Sequence, residues 1–171
     1  MNILFDTNVI LDVLLERGDF LQESVALVNH VESVEINGFL SANSIATIYY
    51  IAQKTFSRKK AEKEIELLTE IFGIAPVNKT VIVDALKLGF KDFEDAIIHE
   101  SAKCINADAI VTRNVKDFKK ATINVYSPAQ LLNSLRMKGL IDKDGQEDQG
   151  DKDHQDDNND RPHPVPGDEI D

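Results

Sequence analysis

Residues 1–15, MNILFDTNVILDVLL, place three large apolar residues directly before a carboxylate and then run on into a second apolar stretch. Ile3 to Phe5 reads as a short buried strand that stops on Asp6, and Asn8 to Glu16 reads as the helix that follows. A charge at the end of a core strand is costly unless something pairs with it. In open α/β sheets the carboxyl ends of the strands form the rim where ligands bind. Asp6 is therefore a candidate site residue on physical grounds alone.

Beyond this start, helical and strand patterns alternate. Phe20 to Val31 carries Leu21, Val25, Leu27, Val28 and Val31 mostly at helical spacing. Glu35 to Leu40 reads as a strand, and Ser41 to Lys54 as a helix with Ile45, Ile48, Tyr49 and Ala52 on one face. Ser57 to Ile71 is a charged amphipathic helix that Gly73 is expected to end. A short strand over Ile74 to Val77 and a helix over Thr80 to Leu88 follow. Asp92 opens a helix to about Ile105, with Glu94 and Asp95 in its first turn, where acids suit the helix dipole. Ala109 to Val111 and Ile123 to Tyr126 are strands, and Pro128 starts a closing helix to about Leu135. This order predicts an α/β fold, a mostly parallel sheet with helices on both faces.

The net charge of −11 is unevenly spread. Residues 142–171 hold 12 acids and 3 bases, a balance of −9, whereas residues 1–141 carry only −2. The folded body is thus expected over 1–141, with 142–171 an acidic tail that lacks the apolar residues to build a core. The acidity does not exclude a nucleic-acid partner for the body. No apolar run reaches about 18 residues, which argues against a membrane span. The N-terminus lacks a signal-peptide pattern, and the lone Cys104 excludes an internal disulfide, so a cytoplasmic protein is expected.

Three acidic features fall where strands meet helices. Asp6 ends the first strand, Asp92 and Asp95 lie three apart on one helix face, and Asp117 follows the strand that ends near Thr112. Carboxylates gathered in one pocket repel each other unless protons or cations intervene. Hard oxygen ligands favour Mg²⁺ or Mn²⁺, and no His/Cys spacing suggests zinc. Taken singly, Asp92 also serves as a helix N-cap and Asp117 as a turn residue.

The joint pattern resembles the PIN domain family, in particular the VapC-like toxins of toxin–antitoxin pairs. The resemblance rests on Asp6-Thr7-Asn8 after the first strand, on Asp92-Phe93-Glu94-Asp95-Ala96, on Thr112-Arg113-Asn114-Val115-Lys116-Asp117-Phe118, and on Ser127-Pro128. It covers about residues 1–136. It implies a three-layer α/β/α sandwich and a ribonuclease that uses Mg²⁺ or Mn²⁺. Carried over, Asp6 and Asp95 are the central metal ligands and Asp117 is an outer acid of the catalytic cluster, with Asp92 at its edge. Asn8, Thr112 and Asn114 become the surrounding hydrogen-bonding groups. RNA, a cognate antitoxin and a possible second copy of the chain are the implied partners.

Two positions depart from the family's pattern. Thr47 stands where an acid early in the helix after the second strand is usual, and Asn114 where many members carry Asp. Fewer charges bind an ion more weakly, so a PIN module that binds RNA or protein without cutting is the alternative reading. An aspartyl-phosphate phosphatase or receiver fits less well, because those proteins want a second acid where this chain has Asn8. Arg58, Lys59, Arg113 and Lys116 are candidates for contacting an RNA backbone.

Overall fold

The computed structural model describes residues 1–141, and the acidic tail lies outside the described residues. Twelve regular elements run in the order β1 (Asn2–Phe5), α1 (Thr7–Leu14), α2 (Leu21–Glu32), β2 (Asn37–Ser41), α3 (Ala42–Thr55), α4 (Arg58–Ile71), β3 (Gly73–Ala75), α5 (Lys79–Leu88), α6 (Phe93–Cys104), β4 (Ala109–Val111), β5 (Asn124–Tyr126) and α7 (Pro128–Met137). Short 3₁₀ turns over Gly18–Phe20 and Val115–Phe118 complete them. Side chains set several helix starts. Ser57, Asn78 and Asp92 each accept a hydrogen bond from a backbone N–H of the first turn, and Ser127 with Gln130 forms a reciprocal capping pair ahead of α7.

Four pairings, all parallel, assemble the sheet in the order β3-β2-β1-β4-β5. The chain moves outward from β1 to β2 and β3, then crosses back to place β4 on the other side of β1. Crossovers between parallel strands keep one hand, so this reversal puts α5 and α6, which connect β3 to β4, on the opposite face. The central strand shows it. Ile3 and Phe5 pack into a cluster with Leu27 of α2, Ile48 of α3, Leu68 of α4 and Leu131 and Leu135 of α7. Leu4, pointing the other way, packs with Ile98 and Ala102 of α6, Ile110 and Phe118. Ile3, Leu4 and Phe5 are all fully buried, which accounts for the continuous apolar run in the sequence.

The sequence expectation fails locally at Gly73. This residue begins β3 rather than ending α4, whose last residue, Ile71, is followed by an extended Phe72. A Cβ at position 73 would lie 2.5 Å from the Phe39 ring of the paired strand. Gly38, opposite Ile3 in the register, is held to the same requirement. A Cβ there would meet the Phe72 ring and both Val31 methyls at 2.7 Å. Phe72 in turn stands edge-on to Phe5, with ring centroids 5.1 Å apart, one residue before Asp6. Gly38→Ala should therefore overpack this wall and lower the unfolding free energy by about 1–3 kcal/mol, measured by urea denaturation. An unchanged midpoint would show that Phe72 and Val31 yield without cost.

Candidate active site

The strand order reverses between β1 and β4, and the carboxyl ends of these two strands open a crevice there. Asp6 leaves β1 and Thr112 leaves β4 at this point, and the ladder continues past both through Asp6 N–H to Val111 O (2.9 Å) and Thr112 N–H to Tyr126 O (3.0 Å). Their side chains meet across the crevice. The Thr112 hydroxyl and the Asn8 amide both donate to Oδ2 of Asp6, each at 2.6 Å. Asn8 also accepts from the backbone N–H of Arg113 at 3.1 Å, and Thr112 Oγ1 accepts from the backbone N–H of Asn114 at 3.0 Å. One turn further along α1, buried Asp12 accepts from the Arg113 guanidinium at 2.7 Å. Helix α1 thus grips the loop after β4 by side chains at two levels, and Asp6 is fixed beside them.

Helix α6 supplies the other acids. Asp6, Asp92, Glu94 and Asp95 line one cleft of about 180 Å³ together with Thr47 and Asn114. Asp92 caps α6 by accepting from the Glu94 backbone N–H at 2.8 Å, and so sits at the rim. Asn8 and Thr112 stand beside Asp6 and donate to it. Asp117 lies in the 3₁₀ turn Val115–Phe118 and lines a neighbouring pocket, close enough for its charge to act on Asp95.

Glu94 is the residue that sequence reasoning assigned only to the helix dipole. Its Oε1 accepts from Asn43 Nδ2 and Thr47 Oγ1, both at 3.3 Å. These two residues are four apart on α3, so one polar face of that helix turns Glu94 into the cleft. Thr47 carries no charge, yet the position it occupies still faces an acid. That acid comes from α6 instead of α3. The polar pair at positions 43 and 47, four apart on α3, was the available signal.

The electrostatics follow from this crowding. The Asp6 carboxyl, only 6% exposed, is pushed up to about 6, chiefly by burial and further by Glu94, against the stabilising hydrogen bonds from Thr112, Thr7 and Asn8. The Asp95 carboxyl is pushed up to about 7, first by burial and then by the charges of Asp6, Asp92, Asp117 and Glu94. Among the described residues, none of these five acids forms a salt bridge with Lys, Arg or His. The cleft therefore concentrates negative charge that the protein itself does not neutralise. All its donors are hard oxygens, the set that suits Mg²⁺ or Mn²⁺. Among the described residues no three His, Cys, Asp or Glu side chains converge as a ready-made ligand set. Asp6 and Asp95 are the acids of this cleft that could hold such an ion, water or substrate oxygens filling its remaining positions as Mg²⁺ commonly allows.

Known proteins share this arrangement of strands and helices. Residues 2–116 match the family model described as PIN domain. The chain is 30% identical over 130 residues to Ribonuclease VapC1 of Aquifex aeolicus (strain VF5), a match spanning 73% of this chain and 89% of that protein. Among solved structures, DNA-bound VapBC from Salmonella typhimurium superposes with a TM-score of 0.59 at 14% identity, covering 75% of this chain and 98% of that one. A toxin–antitoxin complex from Klebsiella pneumoniae gives 0.57 at 21% identity, covering 74% and 97%. At such identities the structural likeness concerns the fold, a five-stranded parallel sheet flanked by helices.

A carboxyl whose affinity for protons is raised by folding favours the folded state at low pH and disfavours it once ionised. For Asp6 and Asp95 that penalty develops as pH rises from about 4 to 6 and 7, respectively. In a chelator, the melting temperature of Asp95→Asn should match the parent near pH 4 and exceed it near pH 8. Equal melting temperatures at both pH values would mean that Asp95 carries no such strain.

Proposed function

We propose, from the premise that this chain belongs to the PIN domain family, that it is a metal-dependent endoribonuclease and the toxin of a VapBC-type pair acting in the cytoplasm. One observation supports the activity above all. Asp6 and Asp95, from two elements that meet where the strand order reverses, share a cleft of uncompensated negative charge. The 30% identity to a named ribonuclease supports the substrate class. Antitoxin binding rests on the toxin–antitoxin complexes among the structural neighbours, and a second copy of the chain is the other partner in this reading.

In this proposal Asp6 and Asp95 hold a Mg²⁺ or Mn²⁺ ion, with Asp117 and Asp92 as outer acids. When bound, such an ion supplies an acidified water and neutralises charge on a phosphoryl oxygen. The protein's own contribution is positioning. Thr112 and Asn8 fix one oxygen of Asp6 and so set the direction of the other. Glu94, held by Asn43 and Thr47, adds an acceptor on the α3 side, suited to orient a water molecule.

No helix among the described residues is long and apolar enough to cross a membrane. The alternative, an RNA-binding module that does not cut, draws on one specific observation, the absence of three converging ligands among the described residues.

RNA cleavage should occur with Mg²⁺ or Mn²⁺ and stop with EDTA. Asp6→Asn and Asp95→Asn should each lower the rate by about 10²-fold or more, the range for removing an electrostatic group at a reacting centre. Thr112→Val should cost roughly 10- to 100-fold through a misaligned Asp6. RNA bound without cleavage in either metal would instead establish the binding module.

A further inference from the structure

Beside the acidic cleft lies a second pocket, of about 460 Å³, with the opposite charge. It forms between the α5–α6 turn and the 3₁₀ turn after β4. Lys91, Lys116, Lys119 and Lys120 line it, against one acid, Asp117. The two pockets share a border in the chain itself, because Lys91 precedes Asp92 and Lys116 follows Asn114 by two residues. Among the described residues none of these four lysines forms a salt bridge.

The pocket is built before any ligand arrives. Phe90, on its floor, stands edge-on to Phe118 at 5.9 Å and packs beside the buried His99 at 5.6 Å, so both turns are anchored in the core. The Lys120 ammonium donates to the carbonyl of Gly89, clipping one turn to the other. Gly89 has φ +62°, and a Cβ there would lie 3.0 Å from that ammonium. Lys120 is therefore part of the frame, while Lys91, Lys116 and Lys119 are left to face a ligand.

We propose that this pocket seats the backbone phosphates of RNA next to the bond being cut, with Lys91, Lys116 and Lys119 as the contacting groups. The inference rests on the ribonuclease reading. An acid-lined cleft repels the strand it must admit, and a polyanion can cross that barrier only where adjacent cations hold its flanking phosphates. The pocket is open and lysine-rich, which suits point contacts to phosphates without reading sequence. Of Arg58, Lys59, Arg113 and Lys116, it is Lys116 that lines this pocket. Arg113 is engaged with buried Asp12 and stacks 4.7 Å from the centre of the Phe20 ring. Arg58 lies on α4, paired with Glu62 at 2.8 Å.

The test uses the full chain with a short labelled single-stranded RNA in EDTA, over a series of salt concentrations. Binding should weaken with salt, and the triple variant K91Q/K116Q/K119Q should reduce the slope of log affinity against log salt by roughly 2, about 0.7 for each phosphate that is no longer neutralised. K138Q, which lies with Met1, Asp108 and Asn124 at the amino ends of the strands, should leave the slope unchanged. The single variants K91Q and K119Q should each reduce it by about 0.7, which keeps the result readable if the triple variant does not fold. An unchanged slope in the lysine variants, or an equal reduction in K138Q, overturns the proposal while leaving the ribonuclease reading intact. Lysine-dependent binding without cleavage in Mn²⁺ retains the phosphate seat and removes the ribonuclease. A parent chain that neither binds nor cleaves RNA removes both.

Discussion

The hydrogen bonds from Thr112 and Asn8 to Asp6 are the contacts on which the rest of this structure turns. They join the ends of β1 and β4, the two strands between which the strand order reverses, and they fix a nearly buried carboxylate at that seam. Burying such a group without partners would cost several kcal/mol. With two donors on one oxygen the cost falls, yet enough remains to lift the carboxyl to about 6. The fold thus tolerates strain at one point of its rim. Beneath that point Phe5, Phe72, Val31 and Gly38 form a tightly packed wall, so Asp6 has little freedom to relax away from its neighbours.

Charge is distributed around this seam in two adjoining regions. On one side the first turn of α6 brings Asp92, Glu94 and Asp95 toward Asp6, and on the other the turns at Gly89 and Val115 bring four lysines together. Asp117 belongs by position to the lysine side, though its charge still reaches Asp95. An acidic cleft bordered by a basic pocket suits a cation and a polyanion bound side by side. Each ligand then offsets the charge that would otherwise weaken the other's binding.

Much of this was legible in the sequence because it is written in local patterns. The apolar run before Asp6, the spacing of Asp92 and Asp95, and the Ser127-Pro128 cap each follow from residues within a few positions of one another. What escaped depends on contacts between distant segments. Gly73 has the look of a helix stop, and only the Phe39 ring from the paired strand explains why it opens β3 instead. Arg113 looks like a free cation in a basic loop, but its partner Asp12 lies 101 positions away. Glu94 has an ordinary explanation as a first-turn acid, and its role in the cleft emerges only when α3 is laid against α6. Of the basic pocket's four lysines, three sit together between Lys116 and Lys120, and what the sequence does not display is that Lys91 joins them from a distant turn.

The central claim is that Asp6 and Asp95 share a site whose negative charge awaits a cation. Calorimetric titration of Mn²⁺ into the full chain, in two buffers of different ionisation heat, addresses it directly. Near pH 6.5 both carboxyls are partly protonated, so the ion should bind with net release of protons, and that release should vanish near pH 9. Absence of Mn²⁺ binding, or binding at pH 6.5 with no proton released, would contradict the account.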